Sequence, residues 1–189
     1  MTKRIGILGG NFNPIHYGHL FIADQARQRF QLDEVRFMPE YIPPHKKEKT
    51  TIAAKHRIAM LELAIAGHSG LAIETLEVDR KGVSYTVDSM RLLREREPDV
   101  EFFFIMGGDM VEDLPHWHEP EAFLASAQII AVARPGYDVV SPYPVSWMAL
   151  PLLEISSSMI RQFITSDSLP HFLLPERVLS YIEKEGLYR

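Results

Sequence analysis

Short apolar runs alternate with longer helix-like stretches along this chain, and that rhythm admits few folds. Ile5-Gly6-Ile7-Leu8 reads as a buried strand, and Leu20 to Phe30 as a helix with apolar positions at Leu20, Ala23, Ala26 and Phe30. Glu34 to Met38 reads as a second strand ended by Pro39, and Thr51 opens a helix to about Ala66, with Gly67 and Gly70 beyond its end. Leu71 to Leu76 suits a strand, and Ser84 to Glu97 a helix stopped by Pro98. Val100 to Met106 and Gln128 to Ala133 are strongly apolar strands, with Val145 to Leu150 as a sixth. Helices are predicted at Ser157 to Thr165 and Pro175 to Glu185. Strands that are apolar along their whole length are buried on both faces, as in a parallel sheet covered by helices. Ligands of such sheets sit beyond the carboxyl ends of the strands.

Composition closes off several classes. The chain is 46% hydrophobic and 24% charged, which is globular rather than disordered. A net charge of −5 argues against a nucleic-acid binder, which normally needs a broad basic surface. Small polyphosphates stay within reach, because a few local cations and backbone N–H groups suffice to hold them. The lack of cysteine excludes disulfides and thiolate metal sites. Behind Met1-Thr2-Lys3-Arg4 the apolar run Ile5 to Leu8 is too short for a signal peptide, and no stretch approaches membrane-spanning length. A cytoplasmic location is expected.

The chain leaving the first strand reads Gly9-Gly10-Asn11-Phe12-Asn13-Pro14-Ile15-His16-Tyr17-Gly18-His19. Two adjacent glycines are expected to let the backbone turn sharply and to admit a close neighbour. The helix that follows presents unpaired N–H groups and a partial positive charge, which suit phosphate. His16 and His19, three apart, face the same side of that helix start, and Gly18 between them leaves room for a flat ring or a ribose. A structural glycine pair and a metal-binding histidine pair are the alternatives, although no third metal ligand is evident. A dehydrogenase turn needs G-x-G-x-x-G, and Gly6, Gly9 and Gly10 do not fit that spacing.

Other groups have two readings each. Ser156 can cap the helix it precedes, and Arg161 can reach back from that helix toward a polyphosphate. Lys46 follows the rigid Pro43-Pro44 pair and His45, either as a solvated loop cation or as a cation for a ligand. Ser84-Tyr85-Thr86 stands at a helix start, able to cap it or to bind a carboxylate through free N–H groups. Trp117, between His116 and His118, plugs its loop or stacks on a ring. Asp109, after Gly107-Gly108, caps a helix or accepts from ribose hydroxyls. Arg134, at another strand end, is a candidate nucleotide contact.

Gly9 to His19 resembles the G-G-[ST]-F-[DN]-P-x-H-x-G-H signature of the nucleotidyltransferase superfamily, with Asn11 where Ser or Thr is more usual. The chain is similar to the bacterial nicotinate-nucleotide adenylyltransferases through Pro43-Pro44-His45-Lys46, Ser84-Tyr85-Thr86, Gly107-Gly108-Asp109, Pro115-His116-Trp117 and Ile155 to Arg161. The resemblance implies a single nucleotidyltransferase domain over residues 1–189. It implies a Rossmann-like three-layer α/β fold, with a mainly parallel sheet of five to six strands flanked by helices. The implied reaction joins the AMP of ATP to nicotinate mononucleotide, with Mg²⁺ carried in by ATP and no metal held by the protein.

The resemblance gives His16, His19, Lys46 and Arg161 the reacting phosphates. It gives ATP Gly9, Gly10, Asn11, Phe12, Gly18, Gly107, Asp109, Arg134, Ser156, Ser157 and Ser158. The acceptor falls to Asn11, His45, Lys46, Ser84, Tyr85, Thr86 and Trp117. A homodimer is compatible with the resemblance, and no nucleic-acid or membrane partner is expected. Rival readings are the same chemistry on nicotinamide mononucleotide, phosphopantetheine or glycerol phosphate, and a nucleotide-binding regulator without catalysis.

Overall fold

The computed structural model describes residues 2–41, 51–133, 141–151 and 153–189. The first half runs β1 (Lys3–Gly10), α1 (Tyr17–Arg29), β2 (Glu34–Pro39), α2 (Ala54–Ile65) and β3 (Leu71–Ile73). Then come α3 (Leu76–Arg80), α4 (Thr86–Arg96), β4 (Val100–Gly107), α5 (Gly108–Asp113) and a 3-10 turn at Leu114–His116. The chain continues with α6 (Pro120–Ser126), β5 (Gln128–Ala133), β6 (Val145–Ala149), α7 (Ser157–Thr165) and α8 (Glu176–Lys184). The strands form one sheet in the order β3-β2-β1-β4-β5-β6, and every neighbouring pair is parallel. The chain winds outward from β1 in one direction and from β4 in the other. A crevice therefore opens between the carboxyl ends of these two central strands.

The strand period of two sorts the core into two layers. Ile5, Ile7, Phe102, Phe104 and Ile129 face α4 and α6, where Met90, Leu93 and Phe123 meet them. Leu8, Phe103, Ile105 and Ile130 face the other way, against Ala23, Ala26, Met60, Leu61, Ile160 and Leu179. Helices on both sides explain why most strand positions are apolar.

Four short elements were not expected from the sequence: α3, α5, the 3-10 turn and α6. The third strand stops at Ile73, so Leu76 opens α3 instead of ending β3. Helices of five to seven residues complete fewer than two turns and leave no readable period. An ion-pair lattice then locks α4 to the sheet. Arg36 of β2 donates to both oxygens of Glu97 at 2.6 and 2.9 Å, and Arg96 reaches Glu74. The Arg36 hydrogen bonds hold the Glu97 carboxyl down to about 2. Among the described residues no helix is long and apolar enough to cross a membrane.

Candidate active site

The glycine pair does not make the turn. Gly9 and Gly10 are still part of β1, paired with Met38 and Pro39, and neither has a positive φ. The reversal comes after them, through Phe12 at φ 49° and a cis peptide between Asn13 and Pro14. What the glycines supply is closeness. A Cβ on Gly9 would stand 3.2 Å from the Phe104 ring, and one on Gly10 3.1 Å from the Phe12 ring. Phe12 itself is 1% exposed, so its side chain belongs to the core and only its backbone remains for a nucleotide.

Side chains from two helices, together with Thr51 and Tyr188, hold this bend. Arg57 of α2 donates to the carbonyls of Asn11 at 2.9 Å and Glu40 at 2.6 Å. Arg161 of α7 donates to Asn13 O at 2.8 Å and Ser157 Oγ to Pro14 O at 2.8 Å. Tyr188 donates to Asn13 Oδ1 at 2.6 Å, and Thr51 to Asn11 Oδ1 at 2.9 Å. With these acceptors taken, the hydrogen-bonding capacity left to the bend is mainly its N–H groups, the donors an anion needs.

His16 and His19 stand where the bend becomes α1. Their rings stack with centroids 3.7 Å apart, and His19 meets the edge of Phe12 at 5.1 Å. A Cβ on Gly18 would lie 3.0 Å from the His16 ring, so the space expected for a ribose is filled by that imidazole. Burial lowers the His16 pKa to about 4. Burial, and then the neighbouring His16, push His19 well below its ordinary value. Both rings are thus neutral at pH 7, and the Nδ1 of each is buried without a hydrogen-bond partner.

These histidines line a cleft of about 810 Å³ together with Gly18, Ala133 at the end of β5, and Ser156 and Ser157 at the start of α7. Ser156 caps that helix by accepting from Met159 N at 3.1 Å. Ser158 accepts from Arg161 at 3.1 Å, which brings the guanidinium beside the helix start and the bend together.

A second cavity, of about 400 Å³, opens beside Gly9 and is walled by Met38, Phe104, Ser84, Tyr85, Thr86 and Trp117. Trp117 is half-buried, 5.5 Å from Phe123 and edge-on to Phe104, with part of its surface in the cavity. Tyr85 lies 4.4 Å from the His118 ring, and the buried Ser84 Oγ has no partner. Glu77 of α3 is also in this wall. It is 4% exposed, accepts from Ser89 Oγ at 2.7 Å, and is pushed up to about 7 by burial. Asp109 is exposed in the first turn of α5 and lines neither cavity. His45, Lys46 and Arg134 lie outside the described residues. Among the described residues no group of three or more His, Asp or Glu is placed to hold a metal ion.

Comparison with known proteins decides the family. Residues 7–163 match the cytidylyltransferase-like family. Over 187 residues the chain is 58% identical to a probable nicotinate-nucleotide adenylyltransferase of Streptococcus mutans, covering 99% of this chain and 89% of that one. This chain belongs to the nicotinate-nucleotide adenylyltransferase family. A second relative, from Streptococcus pneumoniae, carries the same description and is 54% identical over 98% of this chain and 89% of its own. The nicotinic acid mononucleotide adenylyltransferase of Plasmodium falciparum, solved with APC and with NaAD, superimposes with a TM-score of 0.82. That match covers 98% of this chain and 97% of the other at 24% identity, and it establishes the fold.

In this member of the adenylyltransferase family, sequence reasoning missed Arg57, Glu77, Thr51 and Tyr188. Arg57 left a trace. It occupies the same helical stripe as the buried Met60, Leu61 and Ala64, where a cation has no business unless backbone acceptors await it. Glu77 and Tyr188 left none, since both depend on partners distant in sequence or on a helix too short to read.

Proposed function

We propose that this enzyme transfers the AMP of ATP to nicotinate mononucleotide, giving nicotinate adenine dinucleotide and pyrophosphate. One observation carries the reading beyond family membership: two cavities flank one continuous segment, from Gly9 at the end of β1 through the bend to His19. Gly9 lines the one that contains Trp117, and His16 and His19 line the other. Two ligands seated in those cavities would meet at the bend, as an adenylyl donor and its acceptor must.

The acceptor's 5′-phosphate is already ionised, so no general base is needed. One of its oxygens attacks the α-phosphorus, a new P–O bond forms, and the bond to pyrophosphate breaks. Catalysis is then positioning plus stabilisation of the charge that builds on the equatorial oxygens. Neutral His16 and His19 serve as N–H donors, and Arg161 and Lys46 supply full charges. Mg²⁺ carried in with ATP would screen the charge of the leaving pyrophosphate. The nicotinate ring stacks on Trp117, and its carboxylate takes N–H groups at the start of α4. On this reading the enzyme works in the cytoplasm.

The test is pyrophosphate release from ATP and Mg²⁺ with each of four acceptors: nicotinate mononucleotide, nicotinamide mononucleotide, phosphopantetheine and glycerol phosphate. The first is expected to be used with the highest kcat/KM. Preference for another of the four would overturn the acceptor assignment, and no release with any would overturn the reaction.

A further inference from the structure

We propose that Glu77 selects the acceptor by charge: it takes up a proton when a ring carboxylate binds, and once ionised it disfavours that carboxylate. The proposal rests on the acceptor reading above and adds to it the group that reads the ring substituent.

The geometry is that of a carboxyl walled into the acceptor cavity. Glu77 is 4% exposed, and its Oε1 accepts from Ser89 Oγ, itself fully buried on α4. On the same cavity wall the Ser84 hydroxyl is buried and unpartnered, a donor waiting for an acceptor. Glu40, from the chain after β2, brings a second carboxyl to the cavity. A nicotinate carboxylate entering this space of about 400 Å³ would bring a further negative charge beside Glu77. Like charges in a confined, poorly hydrated site cannot all stay ionised, and a proton bound from solvent is the cheapest relief.

The balance of the groups around Glu77 favours it as the carboxyl that accepts the proton. Arg80 lies on its own helix, and Tyr85, His116 and His118 stand on the other cavity walls. Burial is the main influence on Glu77, Glu40 adds to it, and both favour the neutral form. The Ser89 hydrogen bond and Arg80 oppose it without prevailing. A protonated Glu77 keeps Oε1 as the acceptor for Ser89 and gains one O–H to donate. A ring amide is different: it is neutral and brings N–H donors, so it suits the ionised carboxylate. The same side chain therefore turns from friend to foe of nicotinate as pH rises.

The experiment is calorimetric binding of nicotinate mononucleotide and nicotinamide mononucleotide to the whole enzyme, between pH 6.5 and 8.5, in two buffers of different ionisation enthalpy. Both nucleotides carry the same 5′-phosphate, so its titration cancels in the ratio of their dissociation constants. For the wild type, close to one proton is expected to be taken up with the nicotinate form at pH 8. The preference for nicotinate should fall toward tenfold per pH unit above 7, since each unit of pH changes the bound-proton population tenfold. In Glu77→Gln, which keeps the carbonyl that Ser89 uses, the ratio should be flat. Absence of proton uptake by the wild type would overturn the proposal, as would an undiminished pH slope in the Gln variant. The wild-type measurement stands even where the variant fails to fold. An enzyme that binds both nucleotides but adenylylates neither would instead sink the acceptor reading.

Discussion

The imidazoles of His16 and His19 stack at 3.7 Å between centroids with 27° between their planes, and the buried Nδ1 of each lacks a partner. Two imidazolium ions would repel each other in that arrangement; burial keeps both rings neutral, and for His19 the neighbouring His16 adds to it. A buried polar atom without a partner costs about 1–3 kcal/mol. The cleft thus carries hydrogen-bonding capacity that no described protein group satisfies and that phosphate oxygens could. In the proposed reaction the histidines would act as neutral hydrogen-bond donors rather than as cations.

Removing one of these donors should therefore harm the transition state more than the ground state. His19→Ala is expected to lower kcat by roughly 10²–10³, the usual effect of losing one preorganised donor to a developing oxyanion. ATP affinity should move far less. Steady-state kinetics beside equilibrium ATP binding makes the check, and near-normal turnover would refute the role.

The buried titrating groups set an unusual dependence of stability on pH. His16 and His19 have pKa values below their ordinary 6.5, so between about pH 4.5 and 6.5 the unfolded chain holds two protons that the folded chain lacks. Glu77 works in the opposite direction. Raised from 4.5 to about 7, it keeps a proton in the folded state that the unfolded chain has lost. Its contribution is complete below pH 4.5 and disappears as pH rises through 7. The net difference is one proton, so stability should rise with pH by roughly 1.4 kcal/mol per unit across this window. Glu77→Gln should about double that slope, and His16→Gln should flatten it. Urea unfolding at half-unit pH steps would measure all three, and three equal slopes would contradict the assignment.

Tyr188, one residue from the end of the chain, donates at 2.6 Å to the side chain of Asn13. Tyr188→Phe keeps the ring and deletes only that bond. A loss of about 1 kcal/mol in unfolding free energy is expected. If the contact positions the bend as well as stabilising it, kcat should also fall several-fold while ATP affinity holds. A variant equal to wild type in both respects would show that the Tyr188 hydroxyl plays no part in the site.

How far the sequence could be read depended on length and on partners. The strands announced themselves because Ile5, Ile7, Phe102, Phe104 and Ile129 are apolar where both sheet faces are covered. Ser157–Thr165 was bounded correctly because Ser156 caps it and two full turns reveal its period. Gly9 and Gly10 misled, since glycine allows a turn and a close approach alike, and only the neighbouring Phe104 and Phe12 rings distinguish them. The His16 and His19 pair was found, but their neutrality was not, because burial is a property of the fold. Arg57 was legible in principle as a cation on an apolar stripe. Glu77 required α3, and a five-residue helix leaves no pattern to see.

Trp117 gives the cleanest separation of the two ligands. Its ring rests on Phe123 and Phe104 on one side and borders the 400 Å³ cavity on the other, while the cleft of His16 and His19 contains no part of it. Stacking of a heteroaromatic ring on such a side chain is worth about 1–3 kcal/mol by alanine substitution. Trp117→Ala should accordingly raise KM for nicotinate mononucleotide by roughly 5- to 150-fold, as the same free energy converts at 1.4 kcal/mol per tenfold. KM for ATP should change less than about twofold, because nothing in its cleft is lost. Trp117→Phe, which keeps a smaller stacking face, should fall between the two. The core beneath is the main risk, since Phe123 loses its cover, and a thermal melt of each variant would expose that. An alanine variant that melts normally yet retains its acceptor KM would move the nicotinate ring elsewhere. One that raised both KM values equally would mean that the cavities are not separate subsites.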